Sequence, residues 1–160
     1  MIVSQFMNSD LITVAPEDSV EEAVKLLSRQ GIRHLLVMKK NRLVGIISDR
    51  DIKRAMDPRR TRKKLMGIGG LYFLLEPILV EEIMTRDPVT IGPNTPAKQA
   101  AYIMVERRFG ALPVVEGGKT VGIVTETDLL RCFAEEAGAA PQKRQRASAA
   151  RTSRRTPTKG

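Results

Sequence analysis

The sequence GIISDRD at residues 45–51 returns as GIVTETD at residues 122–128, and this repeated stretch decides the fold. In each copy an apolar run with β-branched residues ends at a hydroxyl residue, Ser48 or Thr125, three positions before an aspartate. β-branched residues favour strands, and a hydroxyl residue three positions before an acid is typical of a helix N-terminus. The stretch therefore predicts, twice, a strand that ends where a helix begins.

The hydroxyl and the carboxylate of each copy, Ser48 with Asp51 and Thr125 with Asp128, have two interpretations. In the first, they form a capping box that only satisfies the backbone donors of the first helical turn. In the second, they stand at the positive end of a helix and offer hydrogen bonds to a sugar and a charged group of a ligand. A single copy favours the capping box, and the repetition shifts the balance toward a ligand site.

The similarity between the copies extends over most of the chain. Residues 3–56 align with residues 80–133 at a constant offset of 77 without a gap, and 13 of the 54 pairs are identical. Most other pairs exchange like for like, so apolar positions stay apolar. The two halves therefore share one fold. Since a repeat of about 55 residues would be marginally stable alone, we expect the two to pack into one core.

Each copy predicts the element order β-α-β-β-α. Residues 11–15 alternate as a short strand, and a helix begins at Ser19 and ends at Gly31. Residues 35–38 and 43–47 suit two strands of a hairpin, followed by a helix over residues 49–56. The first helix carries an apolar stripe that we expect to be buried, and the stripe consists of Val20, Ala23, Val24 and Leu27. The predicted fold class is α/β (α+β), with two tandem repeats packed as one module.

The composition divides the chain into a first repeat (1–56), a linker (57–79), a second repeat (80–137) and a basic tail (138–160). The residues after Ala140 contain seven basic and no acidic side chains, and residues 59–64 add five basic ones. Removing these twelve charges from the net charge of +9 leaves −3, so the repeats are mildly acidic. The tail lacks large apolar residues, and we expect it to be disordered. Tyr72 and Phe73 of the linker are expected to pack on the module or in a subunit contact.

Several classes of protein are disfavoured by the sequence. The single cysteine, Cys132, has apolar neighbours and is expected to be a buried apolar residue. No signal peptide is recognised at the start, and the longest uncharged run, residues 65–75, is too short and glycine-rich to span a bilayer, so a cytoplasmic location is expected. No catalytic set, metal-ligand cluster, P-loop or Rossmann glycine pattern occurs. We therefore expect no enzyme, no catalytic residues and no metal site.

The tandem repeat, with a methionine near each start and the pattern G-h-h-[ST]-x-x-D before each last helix, resembles a pair of cystathionine β-synthase (CBS) domains, or Bateman module. The resemblance covers residues 2–137, and the linker is similar to that of CBS-pair proteins of the acetoin-utilisation type. It implies two clefts between the repeats that bind AMP, ADP, ATP or S-adenosylmethionine as a regulatory ligand, and a homodimer formed through helical faces.

The resemblance also implies roles for individual residues. The motif aspartates, Asp51 and Asp128, would hold ribose hydroxyls, and the hydroxyl residues before them, Ser48 and Thr125, would contact ribose or phosphate. The first-strand region near Thr13 or Thr90 would frame the base and the phosphates.

The copies differ in their cationic residues. Arg33 and His34 stand where the second repeat has Gly110 and Ala111. The only histidine, His34, is either a plain structural or surface residue or a phosphate contact beside Arg33. Arg50, replaced by threonine in the second copy, could also serve a phosphate. We therefore expect the two copies to bind unequally.

Two further matched arginines, Arg54 and Arg131, lie one turn further along their helices and are expected to be solvated.

Three functions fit the sequence. The favoured one is a regulatory sensor module that binds an adenosyl ligand. The second is a nucleic-acid-associated protein whose basic tail makes weak, nonspecific contacts with phosphates. The third is a dimerisation module with vestigial clefts.

Overall fold

The computed structural model describes residues 1–60, 65–68, 71–74 and 76–138, and for residues 65–68 and 71–74 it describes the backbone only. The basic tail beyond residue 138, which the sequence predicts to be disordered, therefore lies outside the described residues. So do the basic run over residues 61–64 and the side chains of Tyr72 and Phe73.

The first repeat has the predicted order β-α-β-β-α. Ser19 caps the first helix, and Gly31 ends it in the left-handed conformation with φ of 63°. The elements are β1 (Thr13–Val14), α1 (Val20–Gln30), β2 (His34–Lys39), β3 (Arg42–Ser48) and α2 (Asp49–Ala55).

The second repeat follows a short antiparallel hairpin in the linker and repeats the pattern. Its first-strand position is reduced to a single parallel bridge between Ile91 and Val114. The mixed α/β fold class predicted from the sequence is confirmed. The elements are β4 (Leu65–Ile68), β5 (Leu71–Leu74), α3 (Val80–Ile83), β6 (Thr85–Arg86), α4 (Ala97–Arg107), β7 (Ala111–Glu116), β8 (Lys119–Thr125) and α5 (Glu126–Glu136).

The sheet of each repeat is extended by a segment of the other repeat. The first sheet has the order β1-β2-β3-β6, in which β1 is parallel to β2 and β6 comes from the second repeat. The β7-β8 pair is extended by an antiparallel bridge from Ile123 to Asn8 of the first repeat. The segment that leads into each repeat therefore crosses to the partner repeat.

The described residues form two hydrophobic cores, one in each repeat, rather than the single core expected from the sequence, and these cores show the same exchange. Val3 of the leading segment packs among the buried residues of the second repeat, such as Leu112 and Leu129. Ile78 and Val80, which lead into the second repeat, pack among those of the first. Since each core contains residues of both repeats, the boundaries predicted from sequence similarity, 1–56 and 80–137, do not separate two independent folding units.

The repeated glycines of the motif serve this exchange. A Cβ atom added to Gly45 would lie 2.5 Å from Sδ of Met84, and one added to Gly122 would lie 2.6 Å from Sδ of Met7. A real Cβ does not come that close to a neighbour, so a larger residue at either position would displace the methionine. The added atom would also lie 3.0 Å from the carbonyl oxygen of Thr85, or 3.2 Å from that of Asn8, so glycine favours the close approach of the crossing segment. Two of the thirteen identical pairs, Met7 with Met84 and Gly45 with Gly122, thus take part in two equivalent contacts.

The predicted apolar stripe of α1 is only partly buried. Val20, Ala23 and Leu27 are buried, whereas Val24 is 43% exposed, so the prediction was wrong for this residue. Helical positions 20, 23 and 27 share one narrow face, and position 24 lies at its edge.

Candidate functional site

Two clefts open between the repeats, and each contains one copy of the motif. We call them the Asp51 cleft, with a volume of about 240 Å³, and the Asp128 cleft, with a volume of about 480 Å³. Both are lined by residues of the two repeats: the Asp51 cleft includes Val89 from the second repeat, and the Asp128 cleft includes Ile12 from the first. A molecule bound in either cleft would therefore contact both repeats.

The motif residues form a capping box in both copies. The backbone N–H of Ser48 donates to Oδ2 of Asp51 at 2.9 Å, and the Ser48 hydroxyl donates to the same oxygen at 2.7 Å. The backbone N–H of Asp51 in turn donates to Oγ of Ser48 at 3.2 Å. Thr125 and Asp128 make the same three bonds at 2.9, 2.6 and 3.3 Å. Both predicted capping boxes are therefore present, and the same side chains remain candidates for a ligand role.

Only one carboxylate oxygen of each aspartate is used by the cap. In Asp128 the other oxygen, Oδ1, lies 3.6 Å from Nη1 of Arg131. Within the described part of the chain, no hydrogen bond or ion pair engages Oδ1 of Asp51. The cap fixes each carboxylate at the wall of its cleft through Oδ2. The second oxygen, Oδ1, is therefore suited to accept hydrogen bonds from ligand hydroxyls.

The clefts collect most of the residues singled out in the sequence. Ser48, Asp51 and Arg50 line the Asp51 cleft, and Thr125 and Asp128 line the other.

The structure does not bring Thr13 or Thr90 into the described lining of either cleft. Their neighbours Ile12 and Val89 line the clefts instead, because successive side chains of an extended segment point to opposite sides. Both threonines are exposed.

Arg33 and His34 line both clefts. The expectation that they distinguish one cleft from the other is therefore not met. The two residues lie at the boundary between the clefts, together with Gly110 and Glu126, which also line both.

The His34 ring explains why the second repeat has a glycine at position 110. A Cβ atom on Gly110 would lie 2.8 Å from Nε2 of His34 and 3.9 Å from Oε2 of Glu126. The imidazole thus occupies the space that a matching side chain of the second repeat would need. Partial burial, followed by the nearby charge of Arg33, lowers the pKa of His34 below its ordinary value of 6.5, against the opposing effect of the carboxylates of Asp49, Glu126 and Asp51.

Sequence reasoning missed or underrated several arginines of the clefts. Arg54 and Arg131 are exposed, as expected, and in addition Arg54 lines the Asp51 cleft and Arg131 the Asp128 cleft. Arg107 and Arg108 were not singled out, and both line the Asp51 cleft. The available signal was an arginine pair at the end of a helix whose counterpart in the first repeat ends with glutamine and glycine.

Arg108 stands in an unusual backbone conformation. It ends α4 with φ of 57°, where the first repeat uses Gly31 with φ of 63°. The left-handed region costs a residue with a Cβ about 1–2 kcal/mol, which glycine avoids. The conformation places a cation at the Asp51 cleft at a local cost in stability.

Other candidate chemistry is not supported in the described residues. No group of three or more metal-ligating side chains is found in them. Cys132 is 2% exposed, as predicted, and its thiol lies 2.9 Å from Sδ of Met1. Burial raises the pKa of this thiol, which keeps it protonated. None of the described helices combines the length and apolarity that a bilayer crossing requires.

Comparison with known proteins matches both repeats to one family. The family model "CBS domain" matches residues 3–58 and 80–135. The chain is 40% identical over 125 residues to an inosine-5'-monophosphate dehydrogenase of Korarchaeum cryptofilum (strain OPF8), covering 78% of this chain and 22% of that enzyme. It is 32% identical over 134 residues to the uncharacterized protein MJ1225 of Methanocaldococcus jannaschii, covering 83% of this chain and 47% of that protein. The chain thus spans less than half the length of these curated relatives.

Solved structures of similar size show the same fold. The CBS domain pair of protein MJ0100, solved in complex with 5'-methylthioadenosine and S-adenosylmethionine, superposes with a TM-score of 0.71 at 29% identity and covers 85% of this chain and 98% of that one. The protein CBSX2, solved in complex with AMP, superposes with a TM-score of 0.66 at 28% identity and covers 85% and 98%.

Proposed function

The chain belongs to the CBS domain family, and from this premise we propose that it is a regulatory module that binds an adenosyl ligand between its two repeats. The observation that carries the proposal is the position of both motifs in clefts lined by both repeats. A ligand in such a cleft would contact both repeats and would favour the relative arrangement of the repeats to which it binds more tightly. The ligands of the MJ0100 domain pair and of CBSX2, which are adenosyl compounds, support the same class here.

The proposed site residues are those of the motif and the cations beside it. Asp51 and Asp128 would accept hydrogen bonds from ribose hydroxyls, with Ser48 and Thr125 orienting the carboxylates. Arg33, His34 and Arg50 would face phosphate or carboxylate groups of the ligand, as donors. AMP, ADP, ATP and S-adenosylmethionine are the ligands to test. The proposed role is regulatory and not enzymatic. The match to the dehydrogenase covers only 22% of that enzyme's length.

The test separates ligand binding from helix capping. Asp51→Ala and Asp128→Ala should each abolish or weaken one site in calorimetry with AMP, ADP, ATP, S-adenosylmethionine and 5'-methylthioadenosine. Losing a charge-assisted hydrogen bond lowers affinity by about tenfold to a hundredfold. Glu22→Ala is a matched control, because Ser19 and Glu22 form the same capping box in α1 at 3.2 Å, away from the described lining of the clefts.

The control should lose stability but keep ligand affinity. If the parent protein binds none of these compounds, or if both aspartate variants bind like the parent, the carboxylates serve only as caps and the proposed function is wrong.

We further propose that the module is a homodimer. The helices α4 and α5 expose large apolar side chains in the second repeat: Tyr102 is 66%, Val105 74% and Leu130 70% exposed. The matching positions of the first repeat hold Lys25, Ser28 and Lys53. Exposed apolar residues grouped on adjacent helices favour contact with a second protein surface.

The basic tail remains the basis of a second candidate, a weak and nonspecific contact with nucleic acid. Its seven positive charges come without an acidic residue or an aromatic ring to stack on bases. Any such binding should therefore weaken steeply with salt and ignore sequence. Since the tail lies beyond the described residues, this candidate depends on the charge pattern alone.

A further inference from the structure

The two clefts differ in charge. Among the described residues, five arginines and three carboxylates line the Asp51 cleft, whereas two arginines and three carboxylates line the Asp128 cleft. The number of carboxylates is the same in both clefts, so the difference in charge comes from the arginines. The arginines of the Asp51 cleft are Arg33, Arg50, Arg54, Arg107 and Arg108, and those of the Asp128 cleft are Arg33 and Arg131.

The difference arises at matched positions of the repeat. At the constant offset of 77, Arg108 of the Asp51 cleft corresponds to Gly31 of the Asp128 cleft, and Arg50 corresponds to Thr127. Two substitutions by arginine in one cleft thus account for most of the contrast.

The arginines also differ in whether a carboxylate already neutralises them. In the Asp128 cleft, Arg131 lies 3.6 Å from Asp128, and Arg33 lies 3.6 Å from Asp49. In the part of the chain that the structure describes, no ion pair engages the other four arginines of the Asp51 cleft: Arg50, Arg54, Arg107 and Arg108. These unpaired cations are available to an anionic ligand.

The backbone of Arg108 supports a role for its charge. The matching glycine shows that the chain has an unstrained alternative for this left-handed position. A residue kept in a disfavoured conformation beside a cleft points to a function of its side chain.

We propose that the two clefts select adenosyl ligands by charge. The Asp51 cleft takes adenine nucleotides with a multiply charged phosphate chain, and the Asp128 cleft takes adenosyl compounds without phosphate, either uncharged or cationic. This assignment rests on the adenosyl-binding function proposed above. The arginines of the Asp51 cleft are exposed, so they would hold the phosphate chain on the side of the cleft that faces solvent. The smaller volume of this cleft, about 240 Å³, would then have to accommodate only the nucleoside.

The test exchanges the charges between the clefts. Calorimetry with ATP and with 5'-methylthioadenosine is performed on the parent and on Arg50→Thr/Arg108→Gly, which gives the Asp51 cleft the residues of its counterpart. ATP affinity should fall by about tenfold, since two solvent-exposed charge contacts contribute about 0.7 kcal/mol each. Affinity for 5'-methylthioadenosine should stay unchanged, and Asp128→Ala should abolish it. The ATP affinity of the parent should weaken with salt more than that of the variant.

Two further variants keep the outcome interpretable. Arg50→Lys/Arg108→Lys retains the charges and should retain most of the ATP affinity. Gly31→Arg/Thr127→Arg adds the charges to the Asp128 cleft and should create a second ATP site. An added Cβ at Gly31 meets no atom within 4 Å, and Arg108 shows that arginine adopts this conformation. Thermal melting of each variant verifies the fold.

The outcomes separate the two proposals. If the parent binds none of the adenosyl compounds named under the proposed function, that function is overturned and the assignment with it. If it binds another adenosyl compound but neither of these two, only the assignment by charge is overturned. If the parent binds both but Arg50→Thr/Arg108→Gly keeps its ATP affinity, or if Asp128→Ala removes ATP and 5'-methylthioadenosine together, only the assignment by charge is overturned. The last result would mean that volume, which is larger in the Asp128 cleft, decides occupancy.

Discussion

At the scale of the residue, the shifted pKa of His34 makes the stability of the fold depend on pH. Its pKa is lowered below 6.5 by partial burial and by Arg33, while Asp49, Glu126 and Asp51 raise it. In the unfolded chain the imidazole takes up a proton near pH 6.5, before the folded protein does. Folded stability contributed by the neutral ring is therefore present above pH 6.5 and is lost as pH falls through the folded-state pKa.

This predicts that His34→Gln reduces the pH dependence of folding. Urea unfolding of the parent and of the variant at about pH 7.5 and about pH 5.5 would measure it, with the larger loss on acidification in the parent. Since His34 is the only histidine, the difference between the two profiles isolates its contribution from that of the carboxylates. If stability falls equally with pH in the parent and in His34→Gln, the ring has the same pKa in the folded and unfolded states and the prediction is wrong.

Single residues were predictable from the sequence where a local pattern defines them. The hydroxyl and carboxylate of each motif follow from their spacing of three, which sets the geometry of a helical turn. Arg107 and Arg108 were not predictable in this way, because they reach the Asp51 cleft only after the two repeats pack together. Within the first-strand region near Thr13 and Thr90, the side chains of Ile12 and Val89 line the clefts instead of the threonines. In an extended chain, a shift of one residue changes the side that a group faces.

At the scale of the element, the two hairpins offer a matched pair of turns. The turn between β2 and β3 holds Lys40 at φ of 49° and Asn41 at 61°, whereas the turn between β7 and β8 uses Gly117 at 55° and Gly118 at 77°. Two-residue hairpin turns with positive φ at both positions favour Asn-Gly or Gly-Gly. Lysine in the first position is therefore the strained choice.

We predict that Lys40→Gly stabilises the protein by about 0.5–1 kcal/mol and that Gly117→Lys destabilises it by a similar amount. Chemical denaturation of both variants would measure the change in free energy of unfolding. Each substitution is expected to change the stability of the whole protein, because each core contains residues of both repeats. Shifts of the same sign in the two variants would contradict the account of turn strain.

The elements were predictable because their signals are local, and the crossing of the leading segments was not. Capping residues, alternation and Gly31 set the order β-α-β-β-α before any tertiary contact is known. The residues of the crossing contacts are identical in the two repeats, Met7 with Met84 and Gly45 with Gly122. The sequence nevertheless does not show which methionine contacts which glycine. Burial at the edge of a helix, as at Val24, likewise depends on how far the neighbouring elements extend.

At the scale of the whole molecule, the most exposed large apolar side chains among the described residues lie on the second repeat. The helices α4 and α5 expose Tyr102, Val105 and Leu130, each at least 66% accessible. Removing a Val or Leu side chain from water contributes about 1.5–3 kcal/mol, so a contact that buries several of them can sustain a dimer. The polar counterparts on the first repeat indicate that the second repeats would face each other, as the identical surfaces of a twofold dimer do.

We predict that the parent is a dimer and that Val105→Ser/Leu130→Lys, which introduces the residues of the first repeat, is a monomer. Light scattering coupled to gel filtration would give twice the chain mass of 17.7 kDa for the parent and that mass for the variant. Lys25→Ser, on the matching surface of the first repeat, is the control and should leave the dimer intact. A monomeric parent, or a dimer that survives the double substitution, would show that this surface does not join two copies. Measured with and without ATP, the same experiment tests whether the proposed ligand acts on assembly, because a ligand shifts the equilibrium only if it binds one state more tightly than the other.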